Sequence, residues 1–173
     1  MVQAERTSRP AEDPTWRSGQ VRFGFLAITA ALVCLLDQVT KYLIYTSIGP
    51  GSMEPGQEVA VVPGLVYLNY VQNRGVAFGM LKQFGDVFIP LQIVIMTAVF
   101  IYYYSLRGPH LLLRAALSLE IGGAIGNFLD RLRFGYVIDF VDFRVFPVFN
   151  VADSAIFLGA TTLVLIILFQ PES

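Results

Sequence analysis

The 173-residue sequence is poor in charge: only 14% of its residues are Asp, Glu, Lys or Arg, against about 25% in an ordinary soluble domain. It contains one Cys and one His, too few for a disulfide framework, a zinc site or a catalytic Cys–His pair. The 12 basic and 13 acidic residues nearly cancel, so a nucleic-acid-binding surface is not expected. Hydrophobic residues make up 55% of the chain, and the mean hydropathy is +0.61. These values predict a small integral membrane protein without a metal centre.

Four apolar segments each have about the 20 residues that a helix needs to cross the hydrocarbon core of a bilayer. They are residues 23–45, 87–106, 111–129 and 152–169. Residues 1–22 are polar and rich in Arg, Pro, Glu and Ser, which is typical of a flexible tail. We therefore predict one membrane domain over residues 23–169. Because the number of spans is even, both chain termini are expected on the same side.

The orientation of this domain depends mainly on the arginines that precede the first apolar segment. When these arginines are included, basic residues are equally frequent at the two ends of the predicted bundle, so the count alone does not decide the orientation. Since the first helix usually dominates topology, the early cluster favours a cytoplasmic N-terminus. The cluster comprises Arg6, Arg9, Arg17 and Arg22. A cleaved signal peptide is the alternative interpretation of the first segment, but no small-residue cleavage site follows it.

Residues 46–86, between the first two predicted spans, are expected to form a small cap outside the membrane. Residues 58–62 and 65–71 flank a Pro63-Gly64 turn, which predicts two short strands. Residues 75–81 have the composition of a short amphipathic helix at the membrane surface. The predicted fold class is therefore an α-helical integral membrane protein, with four transmembrane helices, a β-containing cap and an interfacial helix.

The acidic residues in and near the predicted spans gather at one end of the bundle. A charged group in hydrocarbon costs at least ~2.5–3.5 kcal/mol, so such groups call for a functional explanation. The acids at this end are Asp37, Asp130, Asp139, Asp142 and Asp153. The opposite end has basic residues near its turn, Arg107, His110 and Arg114. This asymmetry predicts a site at the end of the bundle that carries the acids.

Each polar motif also has a structural explanation when it is taken alone. Asp37 and Lys41 stand one helical turn apart, which predicts a simple ion pair. Asn150 and Asp153 have the spacing of a capping box at the start of the fourth span. Residues 122–126 form a GxxxG motif, which favours close helix packing over any chemical role. These structural and functional explanations remain open at this point.

Taken together, the motifs resemble those of one family. They are DQVTK (37–41), NRGVAF (73–78), GGAIGNFLDR (122–131), VIDF (137–140) and FNVAD (149–153). This set is similar to that of signal peptidase II, the bacterial lipoprotein signal peptidase family of intramembrane aspartyl proteases. The resemblance extends from about residue 22 to residue 169, with the motifs in the family's order and the predicted cap in the family's place.

The resemblance implies an activity and its residues. Family members remove the signal peptide from diacylglyceryl-modified prolipoproteins, cleaving just before the lipidated Cys at the outer face of the bacterial cytoplasmic membrane. The two catalytic aspartates correspond to Asp139 and Asp153. Positions that line or support the site are Asp37, Lys41, Asn73, Asn127, Asp130, Arg131 and Asn150. We expect no cofactor or metal, and membrane lipids as surroundings. The early arginines and the even number of spans predict that both termini are cytoplasmic, and we expect a monomer.

Hydrolysis by two aspartates requires one carboxylate and one carboxylic acid that share a water molecule. Two negative charges about 3 Å apart are unfavourable, so the pair retains one proton. Asp153 lies in the first turn of the fourth span, where the helix N-terminus favours a negative charge. Asp139 is expected on a loop at the hydrocarbon edge and is the better candidate for the protonated member.

Three other function classes compete with this interpretation. A Ser–Lys peptidase could use Ser154 or Ser118 with Lys41, but neither serine has a recognisable motif around it. A transporter or channel would carry intramembrane acids too, but usually with internal repeats and sites at the midplane. A purely structural membrane protein would explain the spans and leave the polar clusters unexplained.

Overall fold

The computed structural model describes residues 14–75, 85–106 and 110–169, except for the side chains of residues 14–18 and 85–88. The helices are α1 (Pro14–Ser47), α2 (Gly85–Ser105), α3 (Leu111–Phe134) and α4 (Val151–Phe169). Three of them are long and apolar enough to cross a membrane: α1 from Gly19 onwards, α3 and α4. The fourth, α2, is a further apolar helix at the position of the second predicted span. The predicted helical membrane fold is confirmed.

Two helices extend further than the sequence predicts. Helix α1 begins at Pro14, so residues 14–22 continue the helix instead of belonging to a flexible tail. Proline is favourable in the first turn of a helix, because backbone N–H groups there have no intrahelical acceptor and proline, which has no N–H, loses no hydrogen bond. Helix α3 continues past Asp130 to Phe134 and is closed by Gly135, whose φ of 74° is left-handed. The Gly135 N–H donates to the Arg131 carbonyl, as in a regular C-terminal cap.

A three-stranded antiparallel sheet lies outside the helical bundle, with the order β1 (Val59–Val62), β2 (Val66–Asn73), β3 (Val137–Asp142). The first two strands confirm the predicted pair around the turn. The third corrects the expectation that Asp139 lies on a loop, since Asp139 pairs with Val71 within the sheet. Most of the predicted interfacial helix falls in residues 76–84, outside the described residues.

Helix α3 packs against α1, α2 and α4. Small residues allow these close contacts: a Cβ added at Gly122 would lie 2.9 Å from the Ala30 backbone of α1. A Cβ added at Gly126 would lie 2.5 Å from the Asp37 carboxylate. The GxxxG motif therefore has the packing role that the sequence favours, and it also brings the polar part of α1 against α3.

The sheet is held against the end of the bundle by a hydrophobic cluster. Ile44 and Ile48, near the end of α1, are buried together with Ile138 and Phe140 of β3. Ile138 and Phe140 lie on the same face of β3, so this cluster buries that face against the end of α1. This packing places Asp139, which lies between Ile138 and Phe140 in the sequence, at the junction of the sheet and the helices.

Candidate active site

Asp139 lies in the middle of β3 and is 2% exposed. Each of its carboxylate oxygens accepts a hydrogen bond from a side-chain amide. Asn150 Nδ2 donates to Oδ1 at 2.7 Å, and Asn73 Nδ2 donates to Oδ2 at 2.9 Å. Because Asn73 ends β2 and Asn150 precedes α4, both neighbouring elements orient this carboxyl group.

Asp153 lies in the first turn of α4 and takes part in the predicted capping box. Its N–H donates to Asn150 Oδ1 at 2.8 Å, and the Asn150 N–H donates back to Asp153 Oδ2 at 3.3 Å. Its other oxygen, Oδ1, accepts a hydrogen bond from Asn127 Nδ2 of α3 at 2.7 Å. The structural explanation of this motif is therefore confirmed, and the cap also turns the carboxyl group towards α3.

Asn150 connects the two carboxyl groups. Its amide nitrogen donates to Asp139 and to Asn127 Oδ1, the latter at 3.1 Å, while its backbone N–H and side-chain oxygen hold Asp153. Asn150 is completely buried, so water does not compete for these bonds. Two acids from different elements, β3 and α4, thus converge on a single asparagine.

A buried ion cluster lies directly behind this pair. Lys41 Nζ is 2.8 Å from Asp37 Oδ2 and 2.9 Å from Asp130 Oδ2, and it donates to Asn127 Oδ1 at 2.9 Å. The three charged side chains are at most 2% exposed. The predicted pair between Asp37 and Lys41 is confirmed, and Asp130 extends it to a triad. Since an ammonium group has three hydrogens, these acceptors use all of them.

The two acids of the triad also bind the backbone beside the two converging carboxyl groups. Asp37 Oδ1 accepts a hydrogen bond at 2.9 Å from the N–H of Ala152, the residue before Asp153. Asp130 Oδ2 accepts one at 3.1 Å from the N–H of Ile138, the residue before Asp139. The triad therefore fixes the start of α4 and the middle of β3 relative to one another.

Sequence reasoning missed one member of this cluster, Gln38. Its amide nitrogen donates to Asp130 Oδ1 at 3.0 Å and to Asp37 Oδ2 at 3.2 Å. Its oxygen accepts a hydrogen bond from Arg133 Nη1 at 2.7 Å. Gln38 lies within the DQVTK motif, but a neutral amide next to charged residues carries no distinguishing signal in the sequence.

Arg131 occupies a different position from the other predicted site residues. Its Nη1 donates to Gln92 Oε1 of α2 at 3.0 Å, and its charge interacts with those of Asp139 and Asp153. Gln92 also donates to the Ala124 carbonyl of α3. Sequence reasoning also missed Gln92. It is a single amide side chain within an otherwise apolar predicted span, and a polar group buried there needs hydrogen-bond partners, so its position could have indicated a role.

Asp142, the remaining acid at this end, belongs to the sheet and not to the converging pair. It accepts a hydrogen bond from Asn69 Nδ2 at 2.7 Å and one from the backbone N–H of Arg144 at 2.6 Å. These contacts stabilise the turn that follows β3. The acids gathered by sequence position thus divide into a converging pair, a buried triad and one sheet residue.

Burial raises the pKa of the Asp139 carboxyl group from 3.8 to about 7, and the nearby charge of Asp153 adds to this shift. The hydrogen bonds from Asn73 and Asn150 act in the opposite direction, because they favour the ionised carboxylate. Asp139 can therefore hold or release a proton near neutral pH. A carboxyl group of this kind beside a second carboxyl group has the composition needed for general acid–base chemistry.

Comparison with known proteins agrees with this geometry. A family model described as signal peptidase (SPase) II matches residues 29–169. A lipoprotein signal peptidase from Halothermothrix orenii is 42% identical over 145 residues, which cover 84% of this chain and 95% of that protein. A lipoprotein signal peptidase from Pelotomaculum thermopropionicum is 43% identical over 136 residues, which cover 79% of this chain and 86% of that protein. A bacterial membrane enzyme solved by the in meso method at 2.3 Å superposes with a TM-score of 0.77 at 31% identity, covering 87% of this chain and 94% of that one. The chain belongs to the signal peptidase II family of bacterial membrane peptidases.

Proposed function

We propose that this peptidase is an aspartyl endopeptidase whose catalytic residues are Asp139 and Asp153. The observation that carries the proposal is that both carboxyl groups bind one buried residue, Asn150, although they come from different elements. A structural role for either acid alone would not require this convergence. Asn73 and Asn127 hold the outer oxygens of the pair, so that each carboxyl group has a defined orientation.

In the proposed mechanism the pair begins with one proton, held by Asp139. The Asp153 carboxylate takes a proton from water, and the water oxygen adds to the scissile carbonyl carbon while Asp139 donates its proton to the carbonyl oxygen. The C–N bond then breaks. Asp153 passes its proton to the leaving nitrogen, and a hydroxyl of the intermediate returns a proton to Asp139. The pair ends in its starting state, and no metal or other cofactor takes part.

The competing Ser–Lys mechanism finds no support in the hydrogen bonds around its candidate residues. Lys41 would have to be a neutral base, but all three of its ammonium hydrogens are bound, two of them by carboxylates. The Ser154 hydroxyl donates to the Asn150 carbonyl at 2.9 Å. The Ser118 hydroxyl is buried and donates to the Arg114 carbonyl at 2.7 Å. Neither serine has Lys41 as a partner among the described residues.

The proposed substrate is a prolipoprotein whose cysteine already carries a diacylglyceryl group. The curated relatives named above are lipoprotein signal peptidases, and the acids lie where the apolar helices meet the sheet. The scissile bond of the substrate reaches this level when the acyl chains on the cysteine stay among the lipids and the signal helix of the prolipoprotein lies beside the spans. The acyl chains contribute by holding the substrate in the membrane at this level, since their transfer from water to lipid is worth about 0.8 kcal/mol per buried CH₂.

The same proposal fixes topology and assembly. With α2 crossing the bilayer as a fourth span, the acids face the outer side of the cytoplasmic membrane and both termini are cytoplasmic. The domain from residue 23 to residue 169 would work as a monomer, since every proposed catalytic and supporting residue comes from one chain. The arginines that precede the first span agree with this orientation.

Incubation of the purified full chain with a prolipoprotein in detergent tests the proposal. Matched substrates are the diacylglyceryl-modified precursor and the same precursor without lipid, and mass spectrometry identifies the cleavage site. We expect cleavage just before the lipidated cysteine, with a severe loss when the lipid is absent. Equal cleavage of both precursors would refute the substrate assignment while leaving the aspartyl pair untouched.

A further inference from the structure

An apolar groove runs between α1 and α2, with α3 as its floor. It encloses about 520 Å³ and is lined on α1 by side chains from Phe23 to Cys34 and on α2 by Met96 and Phe100. Among the residues that line the groove, Thr97 carries a hydroxyl group, and this hydroxyl donates to the Ile93 carbonyl of α2. The groove is therefore suited to an apolar occupant, and none of the proposed catalytic or supporting residues lines it.

The length of the groove matches that of an acyl chain. Phe23 and Cys34 are eleven positions apart in the sequence, which corresponds to about 16 Å along a helix, close to the ~15 Å thickness of one leaflet in a ~30 Å hydrocarbon core. An acyl chain of one leaflet can therefore lie along the whole groove.

The end of the groove away from the aspartates is bridged by Arg22. This side chain, next to the lining residue Phe23, donates from Nη1 to the Leu106 carbonyl at 3.1 Å, so it reaches across from α1 to the end of α2. Arg114 Nη2 donates to the same carbonyl at 2.8 Å, and its guanidinium lies 5.0 Å from the Tyr103 ring centroid. The Tyr103 hydroxyl in turn donates to the Arg22 carbonyl at 2.6 Å. Two cationic groups thus converge where an acyl chain would leave the groove.

We propose that this groove binds one acyl chain of an anionic phospholipid, whose phosphate contacts Arg22. Bilayer and groove are equally apolar, so the chain alone gives no preference for one lipid over another. The preference has to come from the charge at the mouth. Arg22 is partly exposed, and its side-chain hydrogen bond in the described part of the chain goes from Nη1 to the Leu106 carbonyl, so its other N–H groups can donate to a phosphate. The site is independent of the proposed catalytic chemistry.

Native mass spectrometry of the full chain in detergent tests this site. The probes are dioleoyl-phosphatidylglycerol and dioleoyl-phosphatidylcholine, which share their acyl chains and differ in net charge. We expect the anionic lipid to be retained about fivefold more, as one arginine near a lipid surface predicts. Arg22→Gln should remove this preference. Arg144→Gln, which changes an exposed arginine of the sheet end, should leave it unchanged.

A second pair of variants tests the groove itself. Ala31→Phe fills the groove from the exposed side of α1 and should reduce binding of both lipids, whereas Ala160→Phe makes the same change on an exposed position of α4 and should not. Equal retention of the two lipids by the unaltered protein would overturn the proposal, as would unchanged binding in Ala31→Phe. Displacement of the lipid by a synthetic signal peptide, or a dimer that Ala31→Phe disrupts, would assign the groove to a different occupant.

Discussion

Removing the Lys41 ammonium is the perturbation that most directly tests the buried triad. At 4 Å each ion pair is worth about 4 kcal/mol with an effective dielectric constant near 20, and Lys41 makes two such pairs. The desolvation of three charged groups offsets much of this attraction. Breaking a buried pair by removing one partner costs about 3–5 kcal/mol, because the other charge stays buried. We expect Lys41→Met to lower the free energy of unfolding by this amount.

A double variant separates the charge effect from the loss of packing. In Lys41→Met combined with Asp130→Asn, one uncompensated carboxylate is removed together with the ammonium. The new amide oxygen can still accept the Ile138 N–H, which the Asp130 carboxylate accepts at 3.1 Å. The free energy of unfolding of the double variant should therefore be about 1–3 kcal/mol higher than that of Lys41→Met, because substitutions at residues in direct contact are not additive.

Denaturant titration of the detergent-solubilised proteins, followed by far-ultraviolet circular dichroism, gives these free energies. Arg144→Met is the control, because its ion pairs lie at the exposed surface of the sheet and such pairs contribute about 0–1 kcal/mol. A Lys41→Met protein as stable as the control would refute the reasoning. A double variant less stable than Lys41→Met would refute it as well, since removal of the unpaired charge would then bring no gain.

Three further predictions concern the aspartyl pair and its surroundings. Because the pKa of Asp139 is raised from 3.8 to about 7, the folded protein binds a proton that the unfolded chain releases in this range. The free energy of unfolding should therefore fall as pH rises from about 4 to 7, and cleavage by the unaltered protein should decline above about pH 7. The stability trend should vanish in pH titrations of Asp139→Asn, and its persistence there would contradict the assignment to Asp139. Asn150→Ala should reduce the cleavage rate by at least about tenfold, since it removes the amide between the two carboxyl groups; a rate near that of the unaltered protein would contradict this. Cys34→Ala and His110→Ala should each cleave normally, also with a zinc chelator present, and a large loss in any of these assays would favour thiol or metal chemistry.

The helices were predictable because each carries a long apolar segment, and the structure places them within a few residues of the expected positions except at the start of α1 and the end of α3. The β1–β2 hairpin was predictable from its turn and alternating residues. Strand β3 was not, because its residues Val137 to Phe140 are all buried and show no alternation. A strand buried on both faces has the same local pattern as any short apolar run.

The converging residues of the site were predictable as a set, although their partners were not. Asp139, Asp153 and Asn150 stood out through the motifs, and the structure brings them into one hydrogen-bond network. The backbone N–H groups held by the triad carry no sequence signal, because every residue has one. Gln92 was missed for a related reason: its partner Arg131 lies 39 residues away, and only the packing of α2 on α3 joins them.

Single-turnover cleavage of a diacylglyceryl-modified prolipoprotein by four variants tests the aspartyl pair most directly. Asp139→Asn and Asp153→Asn keep the shape of the side chain but cannot hold or share the proton, so each should lose nearly all cleavage while remaining folded by circular dichroism. Ser154→Ala and Ser118→Ala should cleave at rates close to that of the unaltered protein. Near-normal cleavage by either asparagine variant, or loss of cleavage in a serine variant that folds normally, would contradict the assignment of Asp139 and Asp153 as the catalytic pair.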